Sequence, residues 1–550
     1  MKKTNIARLA VTAGLTLAMG AGMMAPATVA FAADTDAKGS ITITQATGND
    51  TTFDGYQIFK AAVKDSSDPS TKSTSDIQWA SEDVKTVVEA AIKHEDSNYA
   101  GTNAQDAADF IKNHFDKTDS TTAVDSNSFA KALADALENA TLAHQTFNPG
   151  QEVSLDKGYW LFVTTPSTVD EGKSATATAP IFAVVGGSPV TVSEKDTVPT
   201  VQKTVGDGNK TAGSAGVGKV LNYHLTGTVA SDVATYQTYQ YKFTDTLSAG
   251  LDYNDDSAVV KIDGVDVTDK AGINCKDNVL TVDLGDLKAD YLKARGVNLT
   301  KDTQVTVDYS ATVNTKAVAG SNNNNNLSNS VTLTYSNDPR FTDKTGTSKN
   351  PSLVKEYTYK LKLIKKDRIT EQVLPGAVFT LMDEDGNYIK ADGTKATNEN
   401  DAHLSSDANG KIEVNGLDEG TYTLDEVTAP EGYDKTSPVT IKISATIGTS
   451  GNDKDNLTQL SLKVSGNDDA IPGESDGNTS DNKLTGNGAN ASDVAAGTVT
   501  VTVGDKKEIT MPLTGMKGTT ALMVYGSAIL AVSAAAYLKH KRNASNDDAE

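Results

Sequence analysis

The sequence predicts a mainly β protein, a tandem of β-sandwiches preceded by a mixed α+β domain, and three observations predict it. Runs such as VLNYHLTGTV, YQYKFTDTL, TQVTVDYSATV, NSVTLTY, KEYTYKLKLI and GTVTVTV alternate with period two and are rich in β-branched and aromatic residues. Gly, Asn and Asp turns separate these runs, as sandwiches require. Helical periodicity is confined to the first third, in SEDVKTVVEAAIK, NAQDAADFIKNHF and SNSFAKALADALENA, interspersed with the strand-like GSITIT, GYQIFKA and GYWLFVTT.

In chain order, Lys2, Lys3 and Arg8 precede an apolar run that closes on Ala30-Phe31-Ala32, the A-x-A pattern of a secretory signal peptide. Residues 1–32 are therefore expected to be removed between Ala32 and Ala33. The remainder, about 480 residues up to the tail, suits three domains of roughly 150 residues. The expected boundaries are 33–192, 193–345 and 352–510, with linkers near VSEKDTVPT and NDPRFTDKTGTSKNPS. Two low-complexity tracts, 322–326 and 465–493, read as loops without a packed core. The tail, 511–550, holds an uncharged stretch at 519–538, about the 20 residues a helix needs to cross a bilayer. Lys539, His540, Lys541 and Arg542 follow it, and the positive-inside rule leaves the body of the protein outside.

Composition excludes several functions. A net charge of -22 and a pI near 4.7 argue against a nucleic-acid partner, whose phosphates demand Lys and Arg clusters. Cys275 is the single cysteine, so no internal disulfide staples the chain, and it is expected to serve as a small apolar side chain. The six histidines show no ligand spacing and no GxSxG, HExxH or P-loop occurs, so neither a metal, a cofactor nor a turnover enzyme is expected.

Strand alternation assigns each residue to a face, and several ionisable groups fall on the apolar one. Lys203 is in phase with Val201 and Val205, and Lys365 with Tyr357, Tyr359, Leu361 and Leu363. Asp245 follows Tyr241 and Phe243, while Glu426 follows Tyr422 and Leu424. Asn329 shares a face with Val331, Leu333 and Tyr335, and Asp505 with Val499, Val501 and Val503. Each β domain thus offers an inward Lys, an inward acid and an inward Asn or Asp. Burial lowers a Lys pKa and raises a carboxyl pKa, giving a neutral, nucleophilic amine beside a protonated acid that polarises a carbonyl. That is the chemistry of a spontaneous isopeptide bond.

The tail order Pro512-Leu513-Thr514-Gly515, apolar stretch and basic stub resembles the LPxTG cell-wall sorting signal of Gram-positive surface proteins, with Met511 where Leu is usual. LDEVTAPEGY, LPGAVFTL, FTDTLSAGLDY and this tail together make the chain resemble the major pilins of Gram-positive bacteria. The resemblance implies immunoglobulin-like, Cna-B-like sandwiches and no turnover activity. It implies that Lys203 bonds Asn329 with Asp245 as catalyst, and that Lys365 bonds a partner near the final strand with Glu426 as catalyst. Asp505, in VGDKK, stands where the family usually has Asn. A sortase would cleave between Thr514 and Gly515 and pass the Thr514 carbonyl to an amine of the next subunit.

For that amine, V-T-V-S-E-K followed by Lys203 is similar to the family's pilin motif, and the phase of Val190 and Val192 leaves Lys195 on the exposed face at a domain boundary. The implied partners are sortases, identical subunits, peptidoglycan, minor pilins and host surface ligands. A monomeric wall-anchored adhesin shares every feature except the use of Lys195.

Overall fold

In the computed structural model, the described residues are 38–45, 48–66, 72–115, 129–194, 197–207, 210–317, 319, 327–465, 470–472, 481–485 and 491–507. Several sequence expectations lie outside them: the 1–32 leader with Ala32 and Ala33, Lys195, the Asn tract at 322–326, and Met511, Pro512, Leu513, Thr514 and Gly515 with the apolar stretch. No helix among the described residues is long and apolar enough to cross a membrane.

The first third is mixed, as its two periodicities predict. Helices Glu82–Glu95, Ala104–Phe115 and Phe129–Asn139 form here, the first two beginning where the sequence supplies caps: Ser81 Oγ accepts from Val84 N–H at 3.2 Å and Asn103 Oδ1 accepts from Asp106 N–H at 3.0 Å. Their apolar faces (Val84, Val88, Ile92, Ile111, Leu133, Leu137) cover a sheet built on Phe53–Asp65 and Gly158–Thr164. A smaller sheet pairs Lys38–Thr44 with Glu152–Asp156 and, in parallel, with Val190–Ser193.

The middle and last thirds are β-sandwiches. In the middle one, a sheet containing Val201–Val205, Val220–Thr228 and Gln304–Val313 faces a sheet containing Gln240–Leu247, Val279–Asp286, Ser328–Ser336 and Ser352–Tyr357. Period-two burial along these strands, with Leu221, Tyr223, Leu225, Tyr241, Phe243, Val305, Val307, Val331 and Leu333 inward, forms one core. In the last sandwich, Tyr359–Asp367 lies between Lys411–Leu417 and the parallel Thr498–Lys507, and packs against a sheet centred on Gly420–Thr428 and Val439–Ile447.

Two expectations about connectors need correction. The stretch from Asn337 through Ser348, expected as a linker, is largely part of the core: Asn337, Asp338 and Arg340 are buried and Thr345–Thr347 pairs with Ser328–Ser336. The physical reason is charge pairing across the domain boundary. Arg340 donates to Asp338 Oδ2 at 2.9 Å and to Glu138 Oε1 of the third helix at 2.9 Å, while Asn337 Nδ2 donates to the Val169 and Ala175 carbonyls. The tract 465–493, expected as loop throughout, contributes strands Ala470–Pro472 and Asp481–Thr485.

The second junction is equally tight. Lys219 donates to Asp418 at 2.8 Å, Thr211 to Asp455 at 2.7 Å and Lys355 to Asn456 at 2.9 Å. Glu356 is buried at this junction, against Gly213, and desolvation pushes its carboxyl up from 4.5 to about 7 despite Lys219 and Lys210, with Asp418 adding to the rise. The folded chain therefore holds this proton more tightly than the unfolded chain. The resulting stability is fully present below about pH 4.5 and is lost as pH rises through about 7. Glu356→Gln is expected to raise the thermal midpoint at about pH 8, by at most roughly 3 kcal/mol of stability, and to change little at about pH 4. Equal midpoint shifts at both pH values would contradict this assignment.

Candidate functional site: two buried lysine clusters

Lys203 sits on an edge strand, opposite Leu225, with its amide N–H donating to Ser352 Oγ at 2.8 Å. The strand's pleat turns the side chain inward, where it is fully buried. Across the interior, the facing sheet contributes Asp245, opposite Val331, and Asn329, opposite Leu247. Both are buried as well. Lys203 Nζ donates to the two Asp245 oxygens at 2.6 and 2.5 Å and to the Tyr309 hydroxyl at 2.8 Å. That hydroxyl donates to Asp245 Oδ2 at 2.6 Å and accepts from Asn329 Nδ2 at 2.7 Å. The rings of Tyr223 and Tyr309, stacked 5.1 Å apart, lie 4.8 and 5.2 Å from the amine.

Desolvation dominates the electrostatics. It pulls the Lys203 amine down to about 8 against the opposing pull of Asp245, and raises the Asp245 carboxyl against the pull of Lys203 and Tyr309. Burial thus narrows the gap in proton affinity between the amine and the carboxylate, the direction that favours a free amine beside a carboxylic acid.

The last sandwich repeats the arrangement with a different acceptor. Lys365 and Asp505 lie on neighbouring parallel strands, with Lys365 opposite Val503 and Asp505 opposite Asp367, so both side chains leave the same face. Glu426 reaches them from the facing sheet, and all three are buried. Lys365 Nζ is 2.9 Å from Glu426 Oε1 and donates to Asp505 Oδ1, while Thr436 N–H donates to Glu426 Oε2 at 2.8 Å. Burial, reinforced by Glu426, pushes the Asp505 carboxyl up to about 6 against the pull of Lys365. Phe379 lies 5.1 Å from the amine.

The structure thus brings Lys203, Asp245 and Asn329 together in one core and Lys365, Glu426 and Asp505 in the other. Strand phase had not singled out Tyr309, which is in phase with Val305 and Val307, because an inward aromatic reads as core filler. Lys366 is half-buried, on the opposite face from Lys365. Cys275 is half-buried and packs on the middle core. Among the described residues no group of His, Cys, Asp and Glu is arranged to hold a metal ion.

Residues 217–339 match the family model described as Gram-positive pilin backbone subunit 2, Cna-B-like domain, and residues 359–457 match that of SpaA, prealbumin-like fold domain. Among solved structures, the T6 backbone pilin of serotype M6 Streptococcus pyogenes is similar at 16% identity and a TM-score of 0.51, covering 86% of this chain and 99% of that one. The major pilin SpaD from Corynebacterium diphtheriae is similar at 16% identity and a TM-score of 0.46, again over 86% and 99%. The group B streptococcus pilus 2b backbone protein has 22% identity and a TM-score of 0.37, over 56% of this chain and 97% of that one. No curated protein sequence matches the chain.

Proposed function

We infer that this chain, a structural pilus subunit carrying a Gram-positive pilin backbone Cna-B-like domain and a SpaA prealbumin-like domain, is the repeating unit of a covalent shaft. The observation that carries this reading is the pair of buried lysine clusters, each spanning the first and one of the last strands of a sandwich. In the middle domain, Lys203 Nζ attacks Cγ of Asn329 with Asp245 as the acid–base partner, and ammonia leaves. In the last domain, Lys365 Nζ attacks Cγ of Asp505 with Glu426 in the same role, and water leaves. A raised carboxyl pKa favours the second reaction, because a protonated acid is an electrophile and a carboxylate is not.

Between subunits, a sortase cysteine takes the Thr514 carbonyl, releases Gly515 and yields Thr514 to the Lys195 amine of the next subunit. The order of PLTG, apolar stretch and basic stub supports this step, as does the position of Lys195 just beyond the strand Val190–Ser193. The leader at 1–32 would direct export, and peptidoglycan would receive the last subunit. The domain units of this reading are 33–192, 193–345 and 352–510.

Cell-wall extracts boiled in detergent are expected to show a high-mass ladder that collapses to monomer in Lys195→Ala. An unchanged ladder in the variant would remove Lys195 from the linkage, and a monomer band in both would leave a solitary anchored adhesin. Each internal link would close a loop of well over a hundred residues, so Asn329→Ala is expected to lower the stability of the middle domain to urea by about 4 to 5 kcal/mol. An unaltered urea midpoint would count against the link.

A further inference from the structure

We propose that the Tyr309 hydroxyl is the catalytic proton relay of the middle domain, carrying a proton from Asp245 to the departing nitrogen of Asn329. This rests on the reading that Lys203 and Asn329 become linked. An amide is a poor acceptor because its nitrogen must be protonated before it can leave. Asp245 can receive protons from Lys203 Nζ, 2.5 and 2.6 Å away, yet it makes no hydrogen bond to Asn329. Tyr309 accepts from the leaving nitrogen at 2.7 Å, and the same hydroxyl touches Asp245 at 2.6 Å and the attacking amine at 2.8 Å; the Tyr223 hydroxyl also lies near Asn329 but hydrogen-bonds neither Asp245 nor Lys203. One oxygen therefore contacts all three parties to the reaction.

Atoms and protons balance along this route. The ammonium of Lys203 gives one proton to the Asp245 carboxylate, and the freed amine attacks Cγ of Asn329. As the tetrahedral adduct collapses, the carboxylic acid returns its proton to the Tyr309 oxygen while the hydroxyl proton moves to Nδ2. The Cγ–Nδ2 bond breaks, ammonia departs, and the second proton lost by Nζ ends on Asp245. Tyr309 is unchanged overall. The two transfers move together, since burial in this core holds the phenol well above its ordinary pKa and no phenolate accumulates.

The last domain supplies an internal comparison. There the acceptor is a carboxyl, whose leaving group is an oxygen, and Lys365 contacts Asp505 and Glu426 directly. Where the middle cluster sets the Tyr309 ring 5.2 Å from its amine, the last cluster sets the Phe379 ring at 5.1 Å. The ring beside the amine carries a hydroxyl in the cluster whose leaving group is nitrogen, and the described ring beside the other amine, that of Phe379, carries none.

The test follows the mass of the full chain after cell-free synthesis, comparing wild type with Tyr309→Phe and with 4-aminophenylalanine at position 309. The second variant keeps a ring and a polar hydrogen but lacks an acidic hydroxyl, so it separates relay from packing. Hydrogen exchange of the Lys203 and Asn329 strands verifies folding in each. Wild type should lose ammonia promptly, and both variants should lose it about 100-fold more slowly or not at all, the range expected for lost acid–base catalysis. Loss of water from the last domain should be unaffected. Ammonia loss at the wild-type rate in either folded variant would overturn the relay. Failure of wild type to lose ammonia would instead remove the bond itself, a distinguishable result.

Discussion

A lysine ammonium without water is costly, and each sandwich of this protein buries one at the centre of its core. Hydrophobic burial around Tyr223, Phe243 and Val331, or around Leu363, Phe379 and Val503, provides the stability that offsets this cost. Once the cores form, the amines can keep their charge only by pairing with acids that the same cores desolvate. In the middle sandwich desolvation then moves Lys203 and Asp245 toward their neutral forms, and in the last it moves Asp505 the same way; a neutral amine and a neutral acid are reactive. The folding energy of the sandwich is thereby what poises its chemistry.

The strands that carry these groups determine the mechanical consequence. The chain enters the middle sandwich on the Lys203 strand and approaches its exit on the Asn329 strand; it enters the last on the Lys365 strand and leaves on the adjacent, parallel Asp505 strand. Links at these positions would carry axial load through side-chain bonds and leave the intervening hydrogen bonds unloaded. The junctions complement this arrangement. Arg340 with Glu138 on one side of the middle domain, and Lys219 with Asp418 on the other, join neighbouring domains through their surfaces as well as through the chain.

Much of this was legible in the sequence because strand alternation is a local property. Phase alone put Lys203, Asp245, Asn329, Lys365, Glu426 and Asp505 on inward faces, and all six are buried. What phase cannot supply is distance across a core. The meeting of Asp245 with Lys203 depends on how two sheets stack, and Tyr309 is locally indistinguishable from Tyr241 or Tyr335, which fill the same core. Arg340 was missed for a related reason: a Pro- and Gly-containing stretch reads as a linker until its charge partners on a distant helix are placed beside it. Glu356, in a strand with ordinary alternation, shows its raised carboxyl pKa only at the packed junction.

The most direct measurement is the intact mass of the purified ectodomain, residues 33–510, denatured before analysis. The account predicts a chain lighter than its sequence by one ammonia and one water, with a branched Lys203–Asn329 peptide and a branched Lys365–Asp505 peptide after digestion. A mass equal to that of the sequence, with both lysines recovered in unbranched peptides, would contradict it.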